Sequence, residues 1–213
     1  MPLLRTYDAD LGKVAITLRS AYLDRLARWS DIQEYLPFLH DQARSRPECM
    51  VLELGARRGA STLAFLAGAA ESDGRVHSCD IDNVLRFADG IGPFGMSPRW
   101  SFTCGDDMDP DVQAQLPAEA DVLFIDTSHE YEHTLAECRV YVPRVKPGGV
   151  ALFHDTNLTG WPGYRWDRDI APVAAVLDDY CAETGLEWRN LPGEYGLGVI
   201  ERAESGAGWP ARP

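Results

Sequence analysis

The sequence predicts an α/β protein. It should hold a single doubly wound, mostly parallel sheet of seven strands, with an antiparallel final strand and a short helical extension at the N-terminus. Three observations lead there. Short apolar runs alternate with segments of helical periodicity from Met50 onward, the pattern of a parallel sheet covered on both faces. Asp121–Asp126 and Gly149–Asp155 are nearly continuous in apolar residues, as strands buried on both faces should be. Finally, only five residues separate the strand-like segments Leu186–Asn190 and Gly196–Ile200. That is too few for a helical crossover, so these two are expected to pair antiparallel at the sheet's end.

In chain order, apolar residues recur at helical spacing over Leu18–Trp29 and Pro37–Arg46, with Pro37 suited to a first turn. A strand at Met50–Leu54 follows, then an Ala/Leu-rich helix over Ser61–Ala70 and a strand at Arg75–Asp80. A Gly/Pro-rich stretch, Gly90–Pro98, precedes a third strand at Trp100–Cys104. Between the two apolar strands lies a helix, Tyr131–Val142, stopped by Pro143 and by a turn at Pro147-Gly148-Gly149. A last helix spans Ile170–Thr184. The expected organisation is a helical extension over residues 1–48, one ligand-binding domain over 49–202 and a flexible tail over 203–213.

The formal net charge of −13 in 213 residues argues against nucleic acid or an anionic membrane surface as partner, since both need clustered Lys and Arg. No run approaches the roughly 18 apolar residues of a membrane span, and the N-terminus reaches acidic residues too early for a signal peptide. Cys49, Cys79, Cys104, Cys138 and Cys181 form an odd, scattered set that suggests neither a disulfide framework nor a zinc cage. A cytoplasmic protein acting on a small molecule is expected. The N-terminal helices, with Tyr22, Trp29 and Tyr35, would either close a pocket or form a homo-oligomer contact.

The chemistry gathers at the strand ends. Glu53-Leu54-Gly55-Ala56-Arg57-Arg58-Gly59 reads as a strand, a tight glycine turn and a helix start, where a ligand can lie against backbone. Its spacing is not that of a dinucleotide fingerprint or a phosphate loop. Acids end four strands or follow them directly, at Glu53, Asp80, Asp126 and Asp155, and Asp106 and Asp107 follow a fifth. One such acid alone is ordinarily a turn or N-cap residue; several at the carboxyl rim of one sheet mark a ligand site. An acid after the second strand suits paired ribose hydroxyls, and Asp82 is an alternative to Asp80 there. Asp126 and Asp155 should converge, which is costly unless a cation lies between them or one keeps a proton. Oxygen ligands favour Mg²⁺ or a similar hard ion. His154 would add a nitrogen if its side chain faces the site, and His129, beside it, is a candidate general base. His40, His77 and His133 are expected at exposed positions without chemistry.

Taken together, these residues resemble the class I S-adenosylmethionine-dependent methyltransferases over Met50–Ile200. Asp126-Thr-Ser-His129-Glu-Tyr131, Pro147-Gly148-Gly149 and Phe153-His154-Asp155-Thr156 resemble the branch that holds cephalosporin-hydroxylase-like proteins and metal-dependent macrolide-sugar O-methyltransferases. The resemblance implies a Rossmann-like methyltransferase fold with S-adenosylmethionine and a divalent ion such as Mg²⁺ as cofactors. Glu53, Gly55, Gly59 and Ser61 would then line the methionine and ribose, Asp80 would hold the ribose hydroxyls and Asp106 would lie near the adenine amine. Asp126 would serve both the cofactor site and the metal, joined by Asp155 and by His154, where relatives often carry an acid, with His129 as the base. The segment after the fifth strand carries Asn157, Trp161, Tyr164 and Trp166, which would either contact substrate as a lid or staple the following helix to the sheet. The implied function is methylation of a hydroxyl on a sugar or other polyhydroxylated natural product. A non-catalytic member of the fold and a nicotinamide-dependent oxidoreductase are the alternatives, the latter disfavoured by the glycine spacing.

Overall fold

The structure is a computed structural model that describes residues 18–84, 97–158, 172–205 and 208–210. Helix α1 covers residues 18–26, a 3-10 turn Gln33–Tyr35 runs into α2 (Leu36–Arg44), and strand β1 is Met50–Leu54. Then come α3 (Ala60–Ser72), β2 (Arg75–Asp80), β3 (Trp100–Cys104), the single turn α4 (Pro110–Gln113) and β4 (Ala120–Ile125). The chain continues with α5 (Tyr131–Tyr141), β5 (Val145–His154), α6 (Pro172–Thr184), β6 (Arg189–Leu191) and β7 (Leu197–Glu201). The expected break at Gly90–Pro98 falls mostly outside the described residues, as do Trp161, Tyr164 and Trp166.

The seven strands form one sheet in the order β3-β2-β1-β4-β5-β7-β6. Every pairing from β3 to β5 is parallel, and β7 runs antiparallel to both β5 and β6, as the short β6–β7 connection requires. Each apolar strand feeds both faces. Val51, Val76, Val122, Phe124, Leu152 and Val199 pack with α1, α2 and α3. Leu52, Leu54, Leu123, Ile125, Phe153 and Ile200 pack with α5 and α6. Strand order reverses between β1 and β4, which makes their carboxyl ends the natural crevice for a ligand.

Two local features depart from the sequence reading. Pro147-Gly148-Gly149 lies inside β5, because pairing already begins at Val145 opposite Ala120 and resumes at Val150 opposite Val122. The turn signal is real, with Gly148 at φ +73, but its amide donates to Arg202 O (2.9 Å) and Gly149 O accepts from Arg202 N (2.9 Å). Pairing with the chain after β7 therefore converts a turn into a bulge. At the C-terminal side, Trp209 Nε1 donates to Val142 O (3.1 Å) and lies beneath the Arg202 guanidinium. Among the described residues no helix is long and apolar enough to cross a membrane.

Helix α3 is almost wholly buried because α2 covers it, and Gly68 is what lets the two approach. A Cβ there would stand 2.2 Å from His40 O and 3.0 Å from Ala43 Cβ, and the nearer of these is backbone that cannot swing aside. Gly68→Ala gains about 1 kcal/mol of helix propensity, yet the overpacking should dominate. Urea unfolding is expected to show a net loss of about 1–3 kcal/mol.

Candidate functional site

The sheet register assembles the site. Leu54 lies opposite both Cys79 and Ile125, and Ile125 lies opposite Phe153, so Gly55, Asp80, Asp126 and His154 leave the sheet at one level. A cleft of about 680 Å³ opens there, with Gly55, Arg57, Asp80, Asp82, Asp106, Asp107, Asp126 and His133 among its lining residues. Gly55, at φ +83, touches the floor so closely that a Cβ would sit 2.0 Å from Asp126 O; a side chain is excluded by both conformation and space. Asp80 accepts Ala56 N (2.9 Å) and Arg57 N (2.8 Å) on Oδ2 and Asp82 N (2.9 Å) on Oδ1, which fixes the carboxylate against the glycine turn. Asp106 is exposed at the same rim and accepts from Met108 N.

Glu53 points the other way, into the α3 side of the sheet. It is fully buried, and both oxygens are taken up by hydroxyls: Ser61 Oγ at 2.6 Å, Thr62 Oγ1 at 2.7 Å and Ser78 Oγ at 2.5 Å. Burial pushes its carboxyl up to about 7 against the pull of those three donors. Glu53 and Ser61 thus face one another beneath the turn, and Gly59, at φ +75, starts α3 above them.

At the open end of β4 and β5, Asp126, His129, His154 and Asp155 converge. His129 Nε2 lies 3.1 Å from Asp126 Oδ1 and 3.0 Å from Asp155 Oδ2. His154 Nδ1 stands 3.4 Å and 3.3 Å from the same two oxygens. His129 and Asp155 hold left-handed backbone, at φ +59 and +62, a cost that persists where the surroundings enforce it. Burial opposes charge on both imidazoles, but the two carboxylates outweigh it, raising His129 to about 9 and His154 to about 10. Burial would likewise raise both carboxyls, and the imidazoles hold them below the usual range. The four donors suit a divalent cation.

Asn157 does not join this group. Its amide bridges Gly193 O and Asn190 Nδ2, tying the end of β5 to the β6–β7 connection.

Residues 52–156 match the family described as "Methyltransferase domain". That match marks a methyltransferase domain over residues 52–156, about half of the chain. Over 74 residues, 33% of this chain, it is 34% identical to demethylmacrocin O-methyltransferase of Streptomyces fradiae, a match that spans only 19% of that protein. Its fold is similar to that of the O-methyltransferase TomG of Streptomyces achromogenes, involved in tomaymycin synthesis and solved with S-adenosylmethionine (TM-score 0.61, 19% identity, 91% of this chain and 89% of that one). It is also similar to MycE of the mycinamycin pathway, solved with Mg, S-adenosylhomocysteine and mycinamycin VI (TM-score 0.57, 17% identity, 81% of this chain and 48% of that one).

One constellation near the cleft was not expected from the sequence. His133, expected to be exposed, is partly buried on α5 and reaches Asp107 Oδ1 (3.3 Å) and Glu137 Oε1 (3.4 Å), while Thr127 Oγ1 donates to Glu137 (2.7 Å). The i, i+4 pair His133/Glu137 was visible in the sequence; Asp107, from the far side of β4, was not. His40 and His77 are also partly buried. His40 stacks on Tyr22, and His77 bonds to Ser101 and Thr103.

Asp107 and Glu137 hold His133 at about 10, while burial raises Glu137 to about 7. A histidine raised above its unfolded value near 6.5 stabilises the fold fully below that pH, and the contribution fades as pH climbs toward about 10. His133→Gln should therefore cost about 2 kcal/mol at pH 7 by leaving two carboxyls facing each other. It should also flatten the decline of stability between pH 7 and 10, measured by urea unfolding at each pH.

Proposed function

We propose that this chain methylates a hydroxyl of a small natural product, a sugar or other polyhydroxylated molecule, using S-adenosylmethionine with help from a divalent ion. The observation that carries the reading is the convergence of Asp126, Asp155, His154 and His129 at the edge of the cleft beside Gly55 and Asp80. The similarity to a demethylmacrocin O-methyltransferase and to a methyltransferase solved with mycinamycin VI supports the substrate class.

The cleft fits the cofactor. A glycine turn that admits no side chain leaves room against backbone, and Asp80, held there by three backbone amides, keeps acceptor capacity for a ribose hydroxyl. Asp106 would stand at the adenine end. The sulfonium supplies a methyl carbon that is electrophilic without further activation, so the protein's task is to position the acceptor and remove its proton. Asp126, Asp155 and His154 would hold the ion, which lowers the pKa of a bound hydroxyl as it does that of bound water. His129 is the group that takes the proton at Nε2. With Asp126 and Asp155 engaged by a cation, their hold on the His129 proton would weaken, which would leave Nε2 free to accept one. Asn157, Trp161, Tyr164 and Trp166 remain the proposed substrate-facing segment, and a second copy of the chain is the proposed partner of the N-terminal helices.

The test begins with calorimetry. Chelator-stripped protein should bind S-adenosylhomocysteine at micromolar concentration without metal; absence of binding with and without Mg²⁺ would overturn the assignment. Asp126→Asn and Asp155→Asn should each abolish methyl transfer to a macrolide glycoside and keep most of that binding. His129→Asn, chosen because Asn tolerates the left-handed backbone, should slow turnover by about 100-fold or more, and an unchanged rate would remove His129 as base.

A further inference from the structure

We propose that the cluster at the ends of β4 and β5 selects a nitrogen-preferring late first-row ion, Fe²⁺ through Zn²⁺, over Mg²⁺, and that His154 sets the preference. This rests on the metal-assisted reading above and specifies which ion the site takes.

The donor set disagrees with magnesium. Mg²⁺ demands oxygen ligands in near-ideal octahedral geometry and retains several waters, whereas imidazole suits zinc, iron and nickel. Here one of the three side chains that would hold the ion, His154, is a buried imidazole. His154 is 1% exposed, and neither ring nitrogen has a hydrogen-bond partner. Its Nδ1 is 3.3–3.4 Å from one oxygen of each aspartate, yet the alignment is that of a hydrogen bond to neither. A buried imidazole without an aligned hydrogen bond forfeits about 1–3 kcal/mol, which coordination of an ion would recover.

The spacing fits donors that face a shared centre. Ligands about 2.1 Å from an ion lie about 3.0 Å apart across an octahedral edge and about 3.4 Å apart across a tetrahedral one. The distances from the two aspartate oxygens to His154 Nδ1, 3.4 and 3.3 Å, fall in that range. The His154 ring is held in place by Tyr35, edge-on at 6.0 Å, and by Tyr195, stacked at 6.2 Å. Selectivity needs only His154, and His129 keeps the proton-accepting role given above.

Any carboxylate site binds late first-row ions more tightly than Mg²⁺, so the test reads the dependence on His154 and not raw affinity. The full chain, stripped with chelator, is titrated calorimetrically with Co²⁺, Zn²⁺ and Mg²⁺, as wild type and as His154→Gln, with S-adenosylhomocysteine binding as the check on folding. The expected result is a Co²⁺/Mg²⁺ affinity ratio that falls by about tenfold or more in H154Q. In the wild type, proton NMR with Co²⁺ should show hyperfine-shifted imidazole N–H resonances. An unchanged ratio in a folded H154Q overturns the inference. If H154Q does not fold, absence of the shifted resonances in the wild type overturns it instead. Failure of the wild type to bind any of the three ions while binding S-adenosylhomocysteine overturns both this inference and metal assistance. Ion binding with imidazole resonances but no methyl transfer upholds this inference and removes the proposed function.

Discussion

The parallel pairing of β4 with β5, flanked by β1, is the constraint from which the site follows. Because Ile125 stands opposite Phe153, the next residues on each strand, Asp126 and His154, are forced to the same level, and Asp155 comes with them. One residue of slip would exchange the side chains that β4 sends to the two packed layers, so that neither layer would meet its own partners. Phe124 packs on Phe65 at one face, and Ile125 lies in the cluster with α5 and α6 on the other. Core packing therefore fixes the register, and the register places two carboxylates where each must be compensated.

Three buried acid clusters near this rim are compensated in different ways. Glu53 is ringed by Ser61, Thr62 and Ser78, neutral donors that lend it no countercharge, and burial raises its carboxyl. Asp107 and Glu137 share one partly exposed histidine, His133, so the pair carries one acid more than it has cations. Asp126 and Asp155 meet two histidines, which balances the charge, yet His154 makes no aligned hydrogen bond. Charge neutrality without hydrogen-bond satisfaction sets this last cluster apart from a structural ion pair, in which burial is offset by good donor–acceptor geometry.

What the sequence revealed follows from which forces are local. Strands β1, β2 and β3 ended where alternation and their terminal residues placed them, because an apolar run bounded by a charge is a one-dimensional signal. The antiparallel end of the sheet was legible from connection length alone. Side-chain direction was not. Glu53 was expected to line the cofactor, yet the pleat turns it toward α3, into a cage whose Ser78 comes from another strand. The Pro147-Gly148-Gly149 turn became a bulge because Arg202, over fifty residues away, supplies its hydrogen bonds. His133 was passed over because its countercharge at Asp107 lies across β4 from it in the chain.

The backbone at the cluster argues that its geometry is maintained against a cost. Among the described non-glycine residues, left-handed φ occurs at Glu48, Arg57, Asp73, His129 and Asp155, and the last two contribute to the same four-residue cluster. Asp155 directly follows β5, and His129 lies in the connection between β4 and α5. The strain of two left-handed residues, of order 1–3 kcal/mol each, is thus what converts two adjacent strand ends into a single converging set of donors.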